Sequence, residues 1–176
     1  LVLIIVILLW WGEIPFVVGI TLIAFGGLWE FYSTFSKHSY KPAMLLSMGA
    51  GCAFPIIAYF IRDSQDLTPM VLALALYLPL LFAWCIFRPG SQSPTTDISV
   101  SLLGVVMVGF CLAHFVLMLG LDTAVPWTVP LTVIVMVWIS DAVAYLAGSA
   151  IGRHKMAPRI SPGKSWEGFL AGTAAI

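Results

Sequence analysis

An aspartate set in an apolar run, with a cluster of cations just after it, is the part of this sequence equipped for chemistry. Ser140-Asp141 lies within VWISDAVAYLAGSAI, and Arg153, His154, Lys155, Arg159 and Lys164 follow it. A carboxylate at hydrocarbon depth costs at least about 2.5 kcal/mol on insertion scales, so it faces a partner, a cavity or an ion. Asp141 lies about ten residues, or roughly 15 Å at helical rise, inside the end of its helix. Tyr145 and Gly148 follow at i+4 and i+7 on the same face. That face offers a carboxylate to a hard cation, a hydroxyl to a phosphate, and a glycine for close packing. The competing role for Asp141 is a hydrogen bond between helices, and the cost of burying an acid favours the functional one.

Taken alone, the cations of 152–164 are ordinary positive residues touching lipid headgroups. Pro158, Pro162 and Gly163 give the loop a set shape, which a headgroup anchor does not need. Ser161, Lys164 and Ser165 also converge on a helix N-terminus, a natural anion site. The Walker A pattern G-x-x-x-x-G-K-[ST] is absent. Glu30, near the end of an early span, has a functional role and a plain interfacial one both open to it. His114 lies mid-span and reads as a packed, hydrogen-bonded histidine rather than a ligand. Cys52, Cys85 and Cys111 are isolated and read as small packing hydrophobes.

These residues must be positioned by membrane helices. Of the 176 residues, 61% are hydrophobic and 9% are charged, with a mean hydropathy of +1.04. A soluble domain carries about 25% charged residues. The composition predicts an all-α, polytopic bundle of about seven spans, forming one transmembrane domain over 1–176. Leu1–Trp11 is too short to cross and reads as the end of a span. Ile14–Phe35, Pro42–Ile61, Pro69–Phe87, Ile98–Leu121 and Pro126–Ile151 follow, with Pro42 at a helix start and a kink expected at Pro55. Arg88–Asp97 reads as a true loop, and 152–164 as a basic one. Ser165 is placed to cap a seventh helix, with Glu167 in its first turn. That helix runs off the sequence, so both ends read as cut from a longer chain. No nucleic-acid motif is present.

The cations sort by side. If 152–164 faces the cytoplasm, then Lys37, Lys41, Arg88, Arg153, Lys155, Arg159 and Lys164 lie inside and Arg62 lies outside. Glu13, Asp63, Asp66 and Asp122 fall on the far side. The positive-inside rule selects this orientation and puts the basic loop where nucleotides are.

The run S-D-A-V-A-Y-x-x-G-x-x-x-G-R-H-K-x-x-P-R-I-S-P-G-K-S-W-E-G resembles the bacterial CDP-diacylglycerol synthases, also called phosphatidate cytidylyltransferases. Trp29-Glu30-Phe31-Tyr32 is similar to a Glu-Phe-Tyr in an early span of that family. The sequence departs from the pattern at Ala142-Val143, and at Gly163, where a second basic residue is common. The resemblance implies transfer of the cytidylyl group of CTP to phosphatidate in the bacterial inner membrane, with the active loop cytoplasmic. It implies Mg²⁺ held in part by Asp141, with Asp141 and Lys164 catalytic. Ser140, Tyr145, Lys155, Arg159, Ser161, Ser165 and Glu167 would then bind substrate. It also implies a C-terminal signature beyond Ile176 that completes the site, so that this stretch alone is inactive. A homodimer is left open. The rival readings are another CTP-dependent lipid enzyme, such as a polyprenol kinase or an archaeal lipid cytidylyltransferase, and an ion-coupled transporter using Asp141 and His114.

Overall fold

The computed structural model describes residues 2–38, 40–87, 93–121 and 124–176. They fall into two compact units, Leu1–Val129 and Pro130–Ile176. Arg88 and Asp122, assigned above to opposite sides of the membrane, lie outside the described residues.

The first unit is built of helices whose ends are marked by glycine, proline or charge. These are α1 (Val2–Trp11), α2 (Glu13–Ser36), α3 (Met44–Ile61), α4 (Thr68–Phe87) and α5 (Pro94–Gly104). The last continues through a π-helical stretch (Val105–Phe110) into α6 (Cys111–Leu117) and a final tight turn (Met118–Gly120). Gly12, at φ +125°, separates α1 from α2 in a conformation that residues with a Cβ rarely adopt. Leu28, Tyr32, Met48 and Val100 form a buried cluster joining α2, α3 and α5. At one end of the unit Arg62 pairs with Glu13 at 2.9 Å and lies over the Tyr59 ring at 4.2 Å. Two residues expected on the same side are thus joined. His114 donates through Nδ1 to the Phe110 carbonyl at 2.9 Å and packs edge-on against the Phe110 ring. It is a packed histidine, as expected.

A buried polar knot in this unit was not foreseen. Asp97, expected at the end of a loop, sits in the first turn of α5 and is 2% exposed. Pro94 in the first turn suits a helix start, and the acid suits the positive end of the helix dipole. The Asp97 carboxylate accepts the Lys41 backbone N–H at 2.7 Å. Ser101 Oγ accepts the Ala43 N–H at 2.9 Å and donates to the Asp97 carbonyl at 2.6 Å. Tyr32 donates to the Ser101 carbonyl at 2.7 Å, and Ser47 bonds Tyr77 at 2.8 Å. Backbone groups with no water to bond must be satisfied internally, and α5 does this for the approach to α3. The third span was expected from Pro42, but α3 starts at Met44, with Ala43 as its N-cap in a non-helical conformation. The N–H groups ahead of it point to side chains of α5.

The second unit consists of α7 (Thr128–Ile151), β1 (Lys155–Ala157), β2 (Ser161–Ser165) and α8 (Trp166–Ala174), with the first two residues of α7 belonging to the other unit. The stretch expected as an irregular loop is an antiparallel hairpin. Lys155 pairs with Ser165 and Ala157 with Ser161, and the register shifts between the two rungs. Pro158, Arg159 and Ile160 make the turn, closed by the Ile160 N–H to the Ala157 carbonyl at 3.1 Å. Among the described residues five helical stretches are long and apolar enough to cross a membrane: α2, α3, α4, Pro94–Gly120 and α7. The elements expected as truncated spans, α1 and α8, have ten and nine residues. The architecture is all-α and polytopic.

Candidate active site

Two neighbouring stripes on α7 build the site. The first recurs every four residues through Ser140, Ala144 and Gly148 to Gly152 just beyond the helix end, and it meets Ser165, Gly168 and Gly172. A Cβ at Gly168 would lie 2.6 Å from the Ala144 carbonyl oxygen, and one at Gly172 would lie 2.7 Å from that of Ser140. Small residues let the two backbones approach this closely, a device common between membrane helices. Ser140 Oγ donates across the contact to the Gly172 carbonyl at 3.0 Å.

The second stripe, Asp141, Tyr145 and Ser149, lines a cavity of about 960 Å³. The hairpin supplies Lys155, Ser161 and Lys164 to the same cavity, and α8 begins at its wall with Ser165. Seven of the expected residues therefore converge: Ser140, Asp141, Tyr145, Lys155, Ser161, Lys164 and Ser165. Asp141, Lys155 and Lys164 are all exposed to it. Among the described residues no hydrogen bond or ion pair engages the Asp141 carboxylate. Two cations against one acid leave the cavity suited to anions. A Cβ at Gly163 meets nothing within 4 Å, so the side chain that the resemblance places there has room.

Two of the hydroxyls are already engaged. Ser140 gives its proton to Gly172, as described above. Ser165 is buried and caps α8, its Oγ accepting the Gly168 N–H at 3.2 Å. The Trp166 N–H is also taken, by the His154 carbonyl at 2.9 Å. The start of α8 thus offers fewer free donors than an open helix end, and Lys155 and Lys164 carry most of the attraction for an anion.

Arg159 and Glu167 do not line the cavity. Arg159 sits in the hairpin turn. Glu167 accepts from the His154 ring Nδ1 at 2.6 Å, and from the His154 backbone N–H at 3.2 and 3.3 Å. The imidazole bond, helped by backbone N–H groups at the helix start and from Arg153 and His154, lowers the Glu167 carboxyl to about 2. Ser149 and Thr173, which were not singled out, also face the cavity. The i+8 spacing from Asp141 could have found Ser149. Thr173 depended on how α8 packs. Glu30, near the end of α2, is exposed.

Among the described residues no three His, Cys, Asp or Glu side chains converge on one point. Asp141 is the one carboxylate among the residues lining the cavity. This donor set does not make an all-protein metal cage. It does fit Mg²⁺, which is held by one or two carboxylates while water and substrate phosphates fill its other positions.

A model of the cytidylyltransferase family matches residues 1–176. The chain belongs to the cytidylyltransferase family. Within it, the phosphatidate cytidylyltransferase of Pseudomonas aeruginosa is 56% identical over 44 residues, 25% of this chain and 16% of that protein. That of Haemophilus influenzae is 52% identical over 42 residues, 24% of this chain and 15% of that protein. The Bacillus subtilis phosphatidate cytidylyltransferase is 26% identical over 168 residues, 92% of this chain and 59% of that protein. The chain thus spans 16%, 15% and 59% of the length of these three relatives. No solved structure matches it significantly.

Proposed function

We propose that this chain contributes part of the active site of a membrane enzyme that converts CTP and phosphatidate to CDP-diacylglycerol and pyrophosphate. The observation that carries the reading is the placement of Asp141 in one cavity with Lys155 and Lys164. The named relatives act in the same sense. A phosphate oxygen of phosphatidate attacks the α-phosphorus of CTP in line. A new P–O bond forms there, and the bond from the α-phosphorus to the bridging oxygen of the β-phosphate breaks. The electron pair leaves on pyrophosphate.

Both reactants are anions, so the protein's work is neutralisation and alignment. Lys164 and Lys155 grip phosphate oxygens, while Ser161 and Tyr145 offer hydroxyls to orient them. Asp141 would hold Mg²⁺, and the ion when bound would supply charge neutralisation for the pyrophosphate leaving group. The hairpin faces the cytoplasm, where CTP is available, and the acyl chains of phosphatidate stay in the bacterial inner membrane. This orientation rests on the sorting of Lys and Arg along the chain.

The test uses the complete protein in lipid nanodiscs with labelled CTP and a choice of phosphatidate, polyprenol or archaeal lipid acceptors. Label in CDP-diacylglycerol with equimolar pyrophosphate is the expected result. Label on a polyprenol or an archaeal lipid, with phosphatidate inert, overturns the choice of acceptor. Ion-coupled uptake into liposomes without pyrophosphate release overturns the enzyme reading.

A further inference from the structure

Glu167 stands in the first turn of α8, yet its carboxylate is bonded to the base of the hairpin and the residue does not line the cavity. His154 is held there at three points. Its backbone N–H and its ring Nδ1 both bond the Glu167 carboxylate, and its carbonyl accepts the Trp166 N–H. The next residue, Lys155, forms the hairpin rung with Ser165, which is itself tied to Gly168. Lys155 belongs to this fastened rung and Lys164 adjoins it, and both line the cavity. His154 is 81% exposed at its side chain and Glu167 24%, and neither lines the cavity. A histidine outside the cavity and bonded to a carboxylate in this way holds the hairpin rather than lining the site.

We infer that Glu167 and His154 form a strap that fastens the hairpin to α8 and thereby sets the two lysines at the phosphate site. They are positioning residues, not ligands of substrate. The inference rests on the reading of the cavity as a CTP phosphate site. The main contribution comes from Glu167, because its carboxylate receives both the backbone and the ring of His154. The ring adds a second rung. The energetic logic is preorganisation: a hairpin already fastened loses less freedom when the nucleotide binds.

The experiment compares wild type, Glu167→Ala, Glu167→Gln and His154→Ala as complete proteins in nanodiscs. Amide hydrogen exchange across 153–165 and the kcat and KM for CTP are read on each. Glu167→Ala is expected to speed exchange at His154 and Lys155 and to raise KM for CTP by about tenfold, with a much smaller fall in kcat. Glu167→Gln keeps an oxygen for the His154 N–H and recovers most of both. His154→Ala keeps the backbone bond and falls between them. Unchanged exchange in Glu167→Ala overturns the strap. Faster exchange with an unchanged KM overturns its positioning role. Equal damage from Gln and Ala in KM, with exchange unchanged, identifies Glu167 as a direct ligand instead. A wild-type protein that makes no CDP-diacylglycerol overturns the reaction reading, while the exchange comparison still decides the strap.

Discussion

Asp97 and Asp141 are both acids set in apolar helices, one in each compact unit, and their surroundings give them opposite duties. Asp97 is sealed, and it receives a backbone N–H within a knot that ties α5 to the approach to α3. Asp141 shares an exposed cavity wall with two lysines, and no described group holds its carboxylate. The first satisfies the backbone, which a membrane interior demands. The second keeps its lone pairs free, which binding demands. An acid in a hydrocarbon-length run therefore signals a demand for a partner. Whether that partner belongs to the protein or arrives with a substrate is a matter of what surrounds the acid.

The sharpest break in this comparison is to neutralise each acid in the complete enzyme. Asp141→Asn is expected to abolish CMP transfer, by at least about a hundredfold on the scale of lost transition-state electrostatics, while membrane insertion and folded yield stay at wild type. Asp97→Asn keeps an oxygen for the Lys41 N–H and should leave transfer per folded molecule near wild type. Full activity in Asp141→Asn, measured by labelled CTP, would end the metal-ligand proposal.

A different kind of break removes the frame beneath the open acid. Gly168→Leu forces α7 and α8 apart where a Cβ already meets the Ala144 carbonyl, at a cost of about 1–3 kcal/mol for overpacking. Activity should fall with thermal stability, and the two can be followed together in detergent melts. Lys164→Ala comes next. It should raise KM for CTP or slow turnover on the order of tenfold, the usual loss for one hydrogen bond to a charged group. An unchanged rate and KM would return that lysine to a purely topological role.

The smallest effect sharpens the picture of the hairpin. Glu167 has its carboxyl lowered to about 2 by the His154 imidazole. Its contribution to anchoring is fully present above the usual carboxylate range and is lost as pH falls toward 2. Protection of the hairpin from limited proteolysis, as it depends on the Glu167 carboxyl, should hold steady down to about pH 5 and then weaken in acid.

Much of the architecture was legible residue by residue. The bounds of α2, α4 and α7 follow from unbroken apolar runs, and the break at Gly12 from a glycine beside charge and proline. Ser165 was readable as a cap because a capping side chain acts within its own first turn. Asp97 was missed because Ser-Pro-Thr-Thr-Asp looks like loop chemistry, and its true environment is made by residues of other helices. The hairpin was missed because Pro and Gly mark a turn without saying which flanking residues pair. Arg159 and Glu167 were expected at the substrate, but the hairpin directs the first into its turn and the second onto His154.

The sequence alone determined that this chain lives in a bilayer, where its helices lie, and that Asp141 and the following cations had to be explained. Those conclusions rest on local chemistry: hydrophobic length, the cost of a charge in hydrocarbon, and capping within one turn. Tertiary structure decided which acid is sealed and which is open, and which polar side chains are spent on the fold. It had to, because those outcomes depend on partners distant in sequence, whose N–H groups and carbonyls are brought within bonding distance only when the helices and the hairpin pack.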